Sequence, residues 1–265
     1  MSVRPDEVEA LAFTDREHLP SVDLGHDAIF LDVDGTLVDI ARSPKHVHVS
    51  SELRSSLAAI ASNADSALAL VSGRTVESVD ALFAPWRTAT IGCHGAQMRR
   101  SANAVTDTRV APLPAAVRSA FSDMVKLFPR VEFEDKTFAL AFHYRQAPEL
   151  RGPLLEHLLA RVAAFEADYV MMSGKSVFEI RPKSCTKGEA LRELMGGPPF
   201  AGRRPIFFGD DTTDEYAFAI LPEFGGIGVS VGRAVASVEF TVPSPRHVRH
   251  WLSALAGRCE VRGSE

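Results

Sequence analysis

The chain has 265 residues, of which 46 % are hydrophobic and 24 % charged, and its formal net charge is −5. This composition fits one large or two small globular domains, and an acidic balance without a basic run argues against nucleic-acid binding. No apolar stretch approaches the ~20 residues that cross a bilayer, and residues 1–20 lack the apolar core of a signal peptide. We therefore expect a cytoplasmic protein whose three widely separated cysteines are reduced and structural.

Strand and helix patterns alternate through the first third of the chain. The apolar run Ala28–Val33 predicts a buried strand, and Ser51–Ala61 predicts a helix with one apolar face. A second buried strand follows at Ala67–Val71, then a helix from Val76 to Phe83 and a short strand at Thr88–Ile91. Such alternation is typical of a parallel sheet with right-handed helical crossovers.

The pattern changes near residue 97, where an α+β segment begins. Its predicted elements are a polar hairpin over Arg99–Arg109, a helix beginning near Pro114, strands at Val131–Glu134 and Phe138–Tyr144, a helix over Glu149–Phe165, and strands at Tyr169–Met172 and Val177–Arg181. The alternating pattern then returns with a helix over Lys187–Met195, a buried strand at Pro205–Phe208, the segment Gly226–Val231 and a terminal helix around His247–Leu255.

The middle segment, about 75 residues long, is too long and too regularly patterned to be a loop. We interpret it as a lid over the carboxyl edge of the sheet. The predicted fold is α/β, with a Rossmann-like parallel-sheet core and an inserted α+β cap domain. Its predicted parts are a leader over residues 1–26, a core over 27–108 and 184–265, and a cap over 109–183.

Acidic residues follow two of the predicted buried strands. Asp32 lies near the end of the first strand and Asp34 directly after it, and Asp210, Asp211 and Asp214 follow the strand that ends near residue 208. The carboxyl ends of parallel strands carry the chemistry of open α/β sheets, although Asp and Gly are also common in surface turns. Oxygen donors this close favour Mg²⁺. We expect Asp32, the Asp34 carbonyl and Asp210, with Asp214 or Asp211 behind it, to hold that ion.

Together with Ser72 and Lys187, these acids fit phosphoryl transfer. Asp32 is ionised at neutral pH and would attack phosphorus to form an aspartyl-phosphate. Asp34 would protonate the leaving sugar oxygen and then deprotonate the attacking water. Ser72 and neighbouring N–H groups would hold phosphate oxygens, and Lys187 would balance their charge. Taken singly, a Ser-Gly-Arg turn or a lysine at a helix start is more often structural.

Four polar residues on or beside the predicted cap strands suit a phosphorylated disaccharide, whose hydroxyls require directed hydrogen bonds. They are Lys136, His143, Lys175 and Glu179. Lys175 and Glu179 are four positions apart, so their side chains share a face of an unbroken strand. The alternatives are a surface ion pair of small energy and, for His143, a core position. Arg145 is equally well explained as a structural ion-pair partner.

The order of these core motifs resembles that of the haloacid dehalogenase superfamily of aspartate-nucleophile phosphatases. Within it, the chain is similar to the bacterial trehalose-6-phosphate phosphatases from about Ala28 to the last helix. The cap stretches that carry this closer resemblance are Gly92–Ala96, Glu134–Lys136, His143–Pro148 and Gly174–Pro182. One departure is Gln97, where such phosphatases usually have Glu after His-Gly-Ala. The amide loses the charge and keeps hydrogen-bonding capacity.

The resemblance implies Mg²⁺-dependent hydrolysis of trehalose 6-phosphate to trehalose and phosphate, and a functional pairing with a trehalose-6-phosphate synthase. It implies substrate contacts at Gly73, Arg74, His94, Lys136, His143, Arg145, Lys175 and Glu179. Three other functions stay open: a phosphatase for sucrose, glucosylglycerol or mannosylglycerate phosphate, a sugar phosphotransferase, and a catalytically silent regulatory module.

Overall fold

The computed structural model describes residues 19–40, 47–63, 67–174 and 176–262. Residues 1–18 of the expected leader and Lys175 therefore lie outside the described residues. The strands are β1 (Asp27–Asp32), β2 (Ala67–Val71), β3 (Ala89–Gly92), β4 (Gln97–Arg99), β5 (Asp107–Thr108), β6 (Glu132–Asp135), β7 (Leu140–His143), β8 (Tyr169–Gly174), β9 (Val177–Pro182), β10 (Arg204–Gly209), β11 (Ile227–Val231) and β12 (Phe240–Val242). The α-helices are α1 (Ser51–Ser62), α2 (Val76–Phe83), α3 (Ala115–Phe121), α4 (Met124–Leu127), α5 (Arg151–Val162), α6 (Lys187–Met195), α7 (Glu215–Phe218) and α8 (Pro245–Arg262).

The core is an eight-stranded sheet in the order β12-β11-β10-β1-β2-β3-β4-β5. The strands from β12 to β3 are parallel, whereas β4 and β5 are antiparallel. Strand β1 lies in the middle of the sheet, pairing with β10 on one side and β2 on the other. The carboxyl ends of these three strands therefore share one edge.

The alternation of side chains along β1 explains why both faces of the core sheet are covered. Ile29 and Leu31 pack in one apolar cluster with residues of α1, α2 and α8. Ala28 and Phe30 point to the opposite face and pack with residues of α6 and α7. All four side chains are fully buried, as expected for a central strand of a parallel sheet.

The second sheet is antiparallel, in the order β6-β7-β9-β8. One face carries Phe142, Phe178 and Ile180, which pack with Phe121 of α3 and Leu154 of α5 in a separate apolar cluster. The other face carries polar residues and looks toward the carboxyl edge of the core sheet. The predicted α/β fold with a parallel core and a second α+β unit is thus confirmed. The limits of the cap at residues 109 and 183 stay a prediction.

Several elements differ from the sequence expectation. The hairpin predicted over Arg99–Arg109 adds β4 and β5 to the edge of the core sheet. The helix predicted over Glu149–Phe165 is the shorter α5, because 3₁₀ turns occupy residues 148–150 and 163–165. The patterns do not predict β12, α4 or α7, which have three or four residues each and are too short to show a period. Within the described ranges, no helix is both long and apolar enough to span a membrane.

Candidate active site

Three buried carboxylates meet at the carboxyl edge of the core sheet. Asp32 is the last residue of β1, and Asp210 and Asp214 lie just after the neighbouring strand β10. All three residues are at most 4 % exposed, and one carboxylate oxygen of each lies within 4.8 Å of those of the other two. We call these three residues the acidic cluster.

Two glycines allow the backbone to approach the acidic cluster closely. Gly35 has a φ of +95°, and a Cβ there would lie 2.1 Å from Oδ2 of Asp210. A Cβ on Gly209 would lie 2.5 Å from Cγ of Asp214. Any larger residue at either position would therefore displace a carboxylate of the cluster.

Lys187 joins two members of the cluster. Its Nζ donates hydrogen bonds to Oδ1 of Asp32 (2.7 Å) and Oδ1 of Asp214 (2.6 Å), and the lysine is 2 % exposed. Burial raises the pKa of Asp32, and Lys187 opposes this effect, whereas Asp214 and Asp210 add to it. Burial would lower the pKa of Lys187, but Asp214 and Asp32 outweigh it, so that the pKa is raised and the side chain is a cation.

Asp211 and Asp214 hold the start of the loop after β10. Oδ2 of Asp214 accepts the backbone N–H groups of Asp210 and Asp211, both at 2.9 Å. Oδ1 of Asp211 accepts the N–H of Thr212 at 2.7 Å. The Asp211 side chain also accepts the N–H of Asp214, so the two aspartates form a reciprocal capping box. Asp211 lies outside the buried cluster and is only half-buried.

Asp34 faces the same cavity but is bound to Arg74. The guanidinium donates through Nε to Oδ2 and through Nη2 to Oδ1 of Asp34, both at 2.6 Å. Ser72, fully buried after β2, accepts the N–H of Arg74 at its hydroxyl (3.1 Å). Both oxygens of Asp34 therefore accept charge-assisted hydrogen bonds from Arg74.

Cap and core meet at a second polar group. Glu179 of β9 is 6 % exposed, and its Oε2 lies 3.1 Å from Nε2 of His94 and 3.3 Å from Nζ of Lys136. Lys136 also donates to the carbonyl of Gly73 at 3.3 Å. A Cβ on Gly73 would lie 2.4 Å from Nε2 of His94. We call Glu179, Lys136 and His94 the cap–core group.

The charges of the cap–core group follow from these contacts. Burial lowers the pKa of His94, and the contact with Glu179 does not offset it. His94 is thus neutral, and its Nδ1 is buried with no hydrogen-bond partner among the described residues. Burial would raise the pKa of Glu179, but the contacts with His94 and Lys136 lower it instead. Burial would likewise lower the pKa of Lys136, but Glu179 and Glu134 raise it. The group is an ion pair beside a neutral imidazole.

Asp32 and Asp210 of the acidic cluster and the three residues of the cap–core group line one cavity of about 320 Å³, whereas Asp214 is fully buried behind its wall. Its wall includes most residues predicted from sequence: Asp32, Asp34, Ser72, Gly73, Arg74, His94, Lys136, His143, Arg145, Glu179, Lys187, Asp210 and Asp211. The wall also includes residues that sequence reasoning did not assign as site residues, among them Arg130, Glu132, Glu134 and Gln146. Glu134 could have been found from the strand register, because it shares a sheet face with Glu179.

His143 is paired inside this cavity with one of those unassigned residues. Its Nε2 lies 3.0 Å from Oε2 of Glu134, and this contact lowers the pKa of Glu134. The imidazole is therefore part of the cavity wall. The alternative considered from the sequence, that His143 is a core residue, does not describe its position.

Gln97 does not line the cavity. Its Oε1 accepts the backbone N–H of Val76 at 2.9 Å, at the first residue of α2. A side-chain acceptor satisfies one of the orphan N–H groups of a helix start, and a neutral amide does so as a carboxylate would. Gln97 in place of the usual Glu therefore affects how the loop that carries Ser72 and Arg74 is held, and it does not change a residue of the cavity wall.

Cys93 and Cys185 are buried beside the cap–core group, and neither forms a disulfide. Burial raises the pKa of Cys93 to about 12 and that of Cys185 to about 11. Because the thiolate is the reactive form, we expect iodoacetamide at pH 8 to label both at least about 100-fold more slowly in the native protein than in urea. Peptide mass spectrometry measures both rates. Native labelling at the rate of the unfolded chain would contradict this expectation.

The family model for trehalose-phosphatase matches residues 30–245. The chain belongs to the trehalose-phosphatase family. The match covers both sheets except the first three residues of β1, and it includes every residue of the acidic cluster and the cap–core group. The family is one of phosphoric monoester hydrolases, so the chain is an enzyme of that class.

Relatives from this family align with most of the chain. The trehalose-6-phosphate phosphatase of Escherichia coli K12 is 37 % identical over 232 residues, which cover 86 % of this chain and 86 % of the relative. The probable trehalose-phosphate phosphatase of Sinorhizobium fredii is 37 % identical over 241 residues, which cover 89 % of this chain and 90 % of the relative. The solved structure of the C-terminal domain of the C. albicans trehalose-6-phosphate phosphatase has a TM-score of 0.78 at 25 % identity. The match covers 88 % of this chain and 92 % of that domain.

The acidic cluster of this trehalose-phosphatase family member fits the divalent metal ion that the fold family implies. Carboxylate oxygens are hard donors of the kind that such ions prefer. The cluster brings three carboxylates together, and Lys187 supplies a single positive charge among them. A divalent cation at this place would offset the remaining negative charge.

Proposed function

We propose that the chain hydrolyses trehalose 6-phosphate to trehalose and inorganic phosphate, as a step of trehalose biosynthesis, with Mg²⁺ and through an aspartyl-phosphate. The observation that carries the proposal is one cavity lined by Asp32 and Asp210 of the acidic cluster on the core side and by the cap–core group on the other. The names of the relatives that cover most of the chain support the choice of sugar.

The acidic cluster would hold the metal ion at the point where phosphate binds. We assign the carboxylates of Asp32 and Asp210 and the carbonyl of Asp34 to the ion. Both oxygens of Asp214 already accept hydrogen bonds, from Lys187 and from two backbone N–H groups. Its part is then to orient Lys187 and the loop after β10. Mg²⁺ would supply positive charge against the phosphate oxygens.

The reaction would proceed in two displacements at phosphorus. An oxygen of Asp32 forms a bond to phosphorus while the bond to the sugar oxygen breaks, and Asp34 gives that oxygen a proton. A water molecule then attacks phosphorus, Asp34 takes up its proton, and the bond to Asp32 breaks to release phosphate. Ser72 and Lys187 line the cavity beside Asp32, where the phosphate oxygens would lie.

Substrate binding would also release Asp34 from Arg74. In the described structure the Arg74 guanidinium engages both oxygens of Asp34, so neither oxygen is available to the leaving group while the pair persists. The phosphate dianion is a competing partner for the guanidinium, since Arg binds phosphate through two parallel hydrogen bonds. Arg74 would thus pass from Asp34 to the substrate, and the released carboxylate would take up from solvent the proton that it gives to the leaving oxygen.

The cap–core group would recognise the sugar. Oε1 of Glu179 is buried and has no hydrogen-bond partner among the described residues, so it offers an acceptor for a hydroxyl group. Lys136 and the Glu134–His143 pair stand on the same cavity wall. A site built from such groups rejects esters that lack the matching hydroxyls, because its own polar atoms are then left unpaired.

The assay that tests the function is phosphate release from trehalose 6-phosphate with Mg²⁺ and with EDTA, beside sucrose 6-phosphate and glucose 6-phosphate. We expect Mg²⁺-dependent release from trehalose 6-phosphate alone. Preference for another sugar phosphate would retain the mechanism and reject the sugar assignment. An isomerised sugar phosphate without free phosphate would indicate a phosphotransferase, and no reaction with any ester would indicate a silent module.

Changing Glu179 to glutamine should separate sugar recognition from phosphate chemistry. The amide keeps the shape of the side chain and removes the charge that Lys136 contacts. We expect kcat/KM for trehalose 6-phosphate to fall about 10- to 100-fold, the size of a lost hydrogen bond to a charged group. Hydrolysis of para-nitrophenyl phosphate should change much less.

Steady-state kinetics with both esters measure this difference. The exposed cap residue Glu166, changed to glutamine, is the matched control. If Glu179→Gln slowed both esters equally, Glu179 would act on the phosphate chemistry or the fold, and its role in recognition would be rejected.

A further inference from the structure

Arg233 bridges the two ends of the acidic loop from outside the cavity. It follows β11, and its Nε donates to the backbone carbonyl of Asp210 at 2.9 Å. Its Nη2 donates to Oε1 of Glu215 at 2.7 Å. One planar guanidinium thus holds both the first and the last residue of the segment that runs from Asp210 to Glu215.

That segment needs an external support because of its charge. Four of its six residues are acidic, at positions 210, 211, 214 and 215. Among these four residues, Asp214 accepts a hydrogen bond from Lys187. The capping box ties Asp211 to Asp214 but contains no cation. Arg233 supplies a positive charge on the other side of the loop and fixes the carbonyl of the residue whose carboxylate belongs to the acidic cluster.

We propose that Arg233 is a positioning residue for the divalent metal site, acting through the backbone of Asp210. The inference rests on the metal site of the proposed function and adds a residue that does not line the cavity. Its hydrogen bond to the Asp210 carbonyl sets the peptide orientation and, with it, the direction of the Asp210 side chain. Groups that orient a metal ligand in this way commonly change metal affinity about 10- to 100-fold when removed.

Positioning and simple electrostatics predict opposite signs for the loss of Arg233. If the guanidinium acted only as a nearby positive charge, its removal would strengthen cation binding, because a repulsive charge would be gone. If it positions Asp210, its removal weakens cation binding despite the lost repulsion. The variant Arg233→Lys distinguishes the two explanations further, because lysine keeps the positive charge but lacks the rigid fork that reaches both acceptors.

The experiment measures the thermal unfolding midpoint of the full chain, first in EDTA and then at increasing Mg²⁺ concentrations. It is carried out on wild type, Arg233→Lys and Arg233→Gln. The rise of the midpoint with ligand gives the dissociation constant without any turnover. We expect both variants to bind Mg²⁺ about 10-fold more weakly or worse. Arg192 is a matched control, because its side chain is 36 % exposed against 35 % for Arg233 and likewise donates to two residues, here the carboxylates of Glu189 and Glu223. Arg192→Gln should bind as wild type does.

The outcomes separate this inference from the proposed function. Asp210→Asn should abolish the Mg²⁺ response, which shows that the titration reports the acidic cluster. Suppose that wild type responds to Mg²⁺ and that Asp210→Asn removes the response. If Arg233→Lys then binds Mg²⁺ as tightly as wild type, or Arg233→Gln binds it more tightly, the positioning role alone is overturned. A wild type without any Mg²⁺ response overturns both the metal site and the role of Arg233.

Discussion

Changing Asp32 to asparagine should lower phosphate release from trehalose 6-phosphate by about 10⁴-fold or more, the scale on which removal of a nucleophile acts. The amide is a poor nucleophile and cannot form the aspartyl-phosphate. The fold should persist, because asparagine has nearly the same volume and Lys187 keeps its hydrogen bond to Asp214.

Initial-rate assays, with circular dichroism to check folding, measure this effect. Asp39, a largely exposed carboxylate on the next loop that pairs with Arg249, provides the control when changed to asparagine. Its activity should equal that of wild type. Turnover by Asp32→Asn within about 10-fold of wild type would remove Asp32 as the nucleophile, since no such change is compatible with loss of a covalent step.

Changing Lys187 to methionine should remove activity and also destabilise the protein strongly. Lys187 is 2 % exposed and lies between two carboxylates that are themselves buried. Removing one partner of a buried ion pair leaves uncompensated charge and costs about 3–5 kcal/mol in the free energy of unfolding. Here both Asp32 and Asp214 lose the cation.

Urea unfolding in EDTA measures the free energy without a contribution from bound metal. The control is Lys126→Met on the exposed side of α4, which should change the free energy of unfolding by less than about 0.5 kcal/mol. A comparably small loss for Lys187→Met would contradict the expectation that the two buried carboxylates depend on this cation for stability.

The core half of the candidate site could be predicted from sequence, because local pattern and sheet topology determine it together. Asp32, Ser72 and Asp210 each follow an apolar run, and parallel strands bring such positions to one edge. Lys187 opens a helix whose period is clear in the sequence. No long-range information beyond strand order was required.

The cap half was harder to predict, because it depends on register between antiparallel strands. Glu134 lies opposite Ala141, which lies opposite Glu179, and no local pattern shows which short strands pair. The Asp34–Arg74 pair and the Gln97–Val76 bond are similar cases. Each joins residues 21 or 40 positions apart through side-chain directions that a sequence pattern does not contain.

The pairing of β1 with β10 also has a consequence for how the protein is made. Asp27 and Arg204, opposite each other in this pairing, are 177 positions apart in the chain. At ~5–20 residues per second, the ribosome exposes β1 for roughly ten seconds or more before its partner exists. During that time one edge of a strand whose four central residues are apolar is open to aggregation. Nascent chains that stop before residue 209 should therefore depend on chaperones, and should lack two of the three carboxylates that define the acidic cluster.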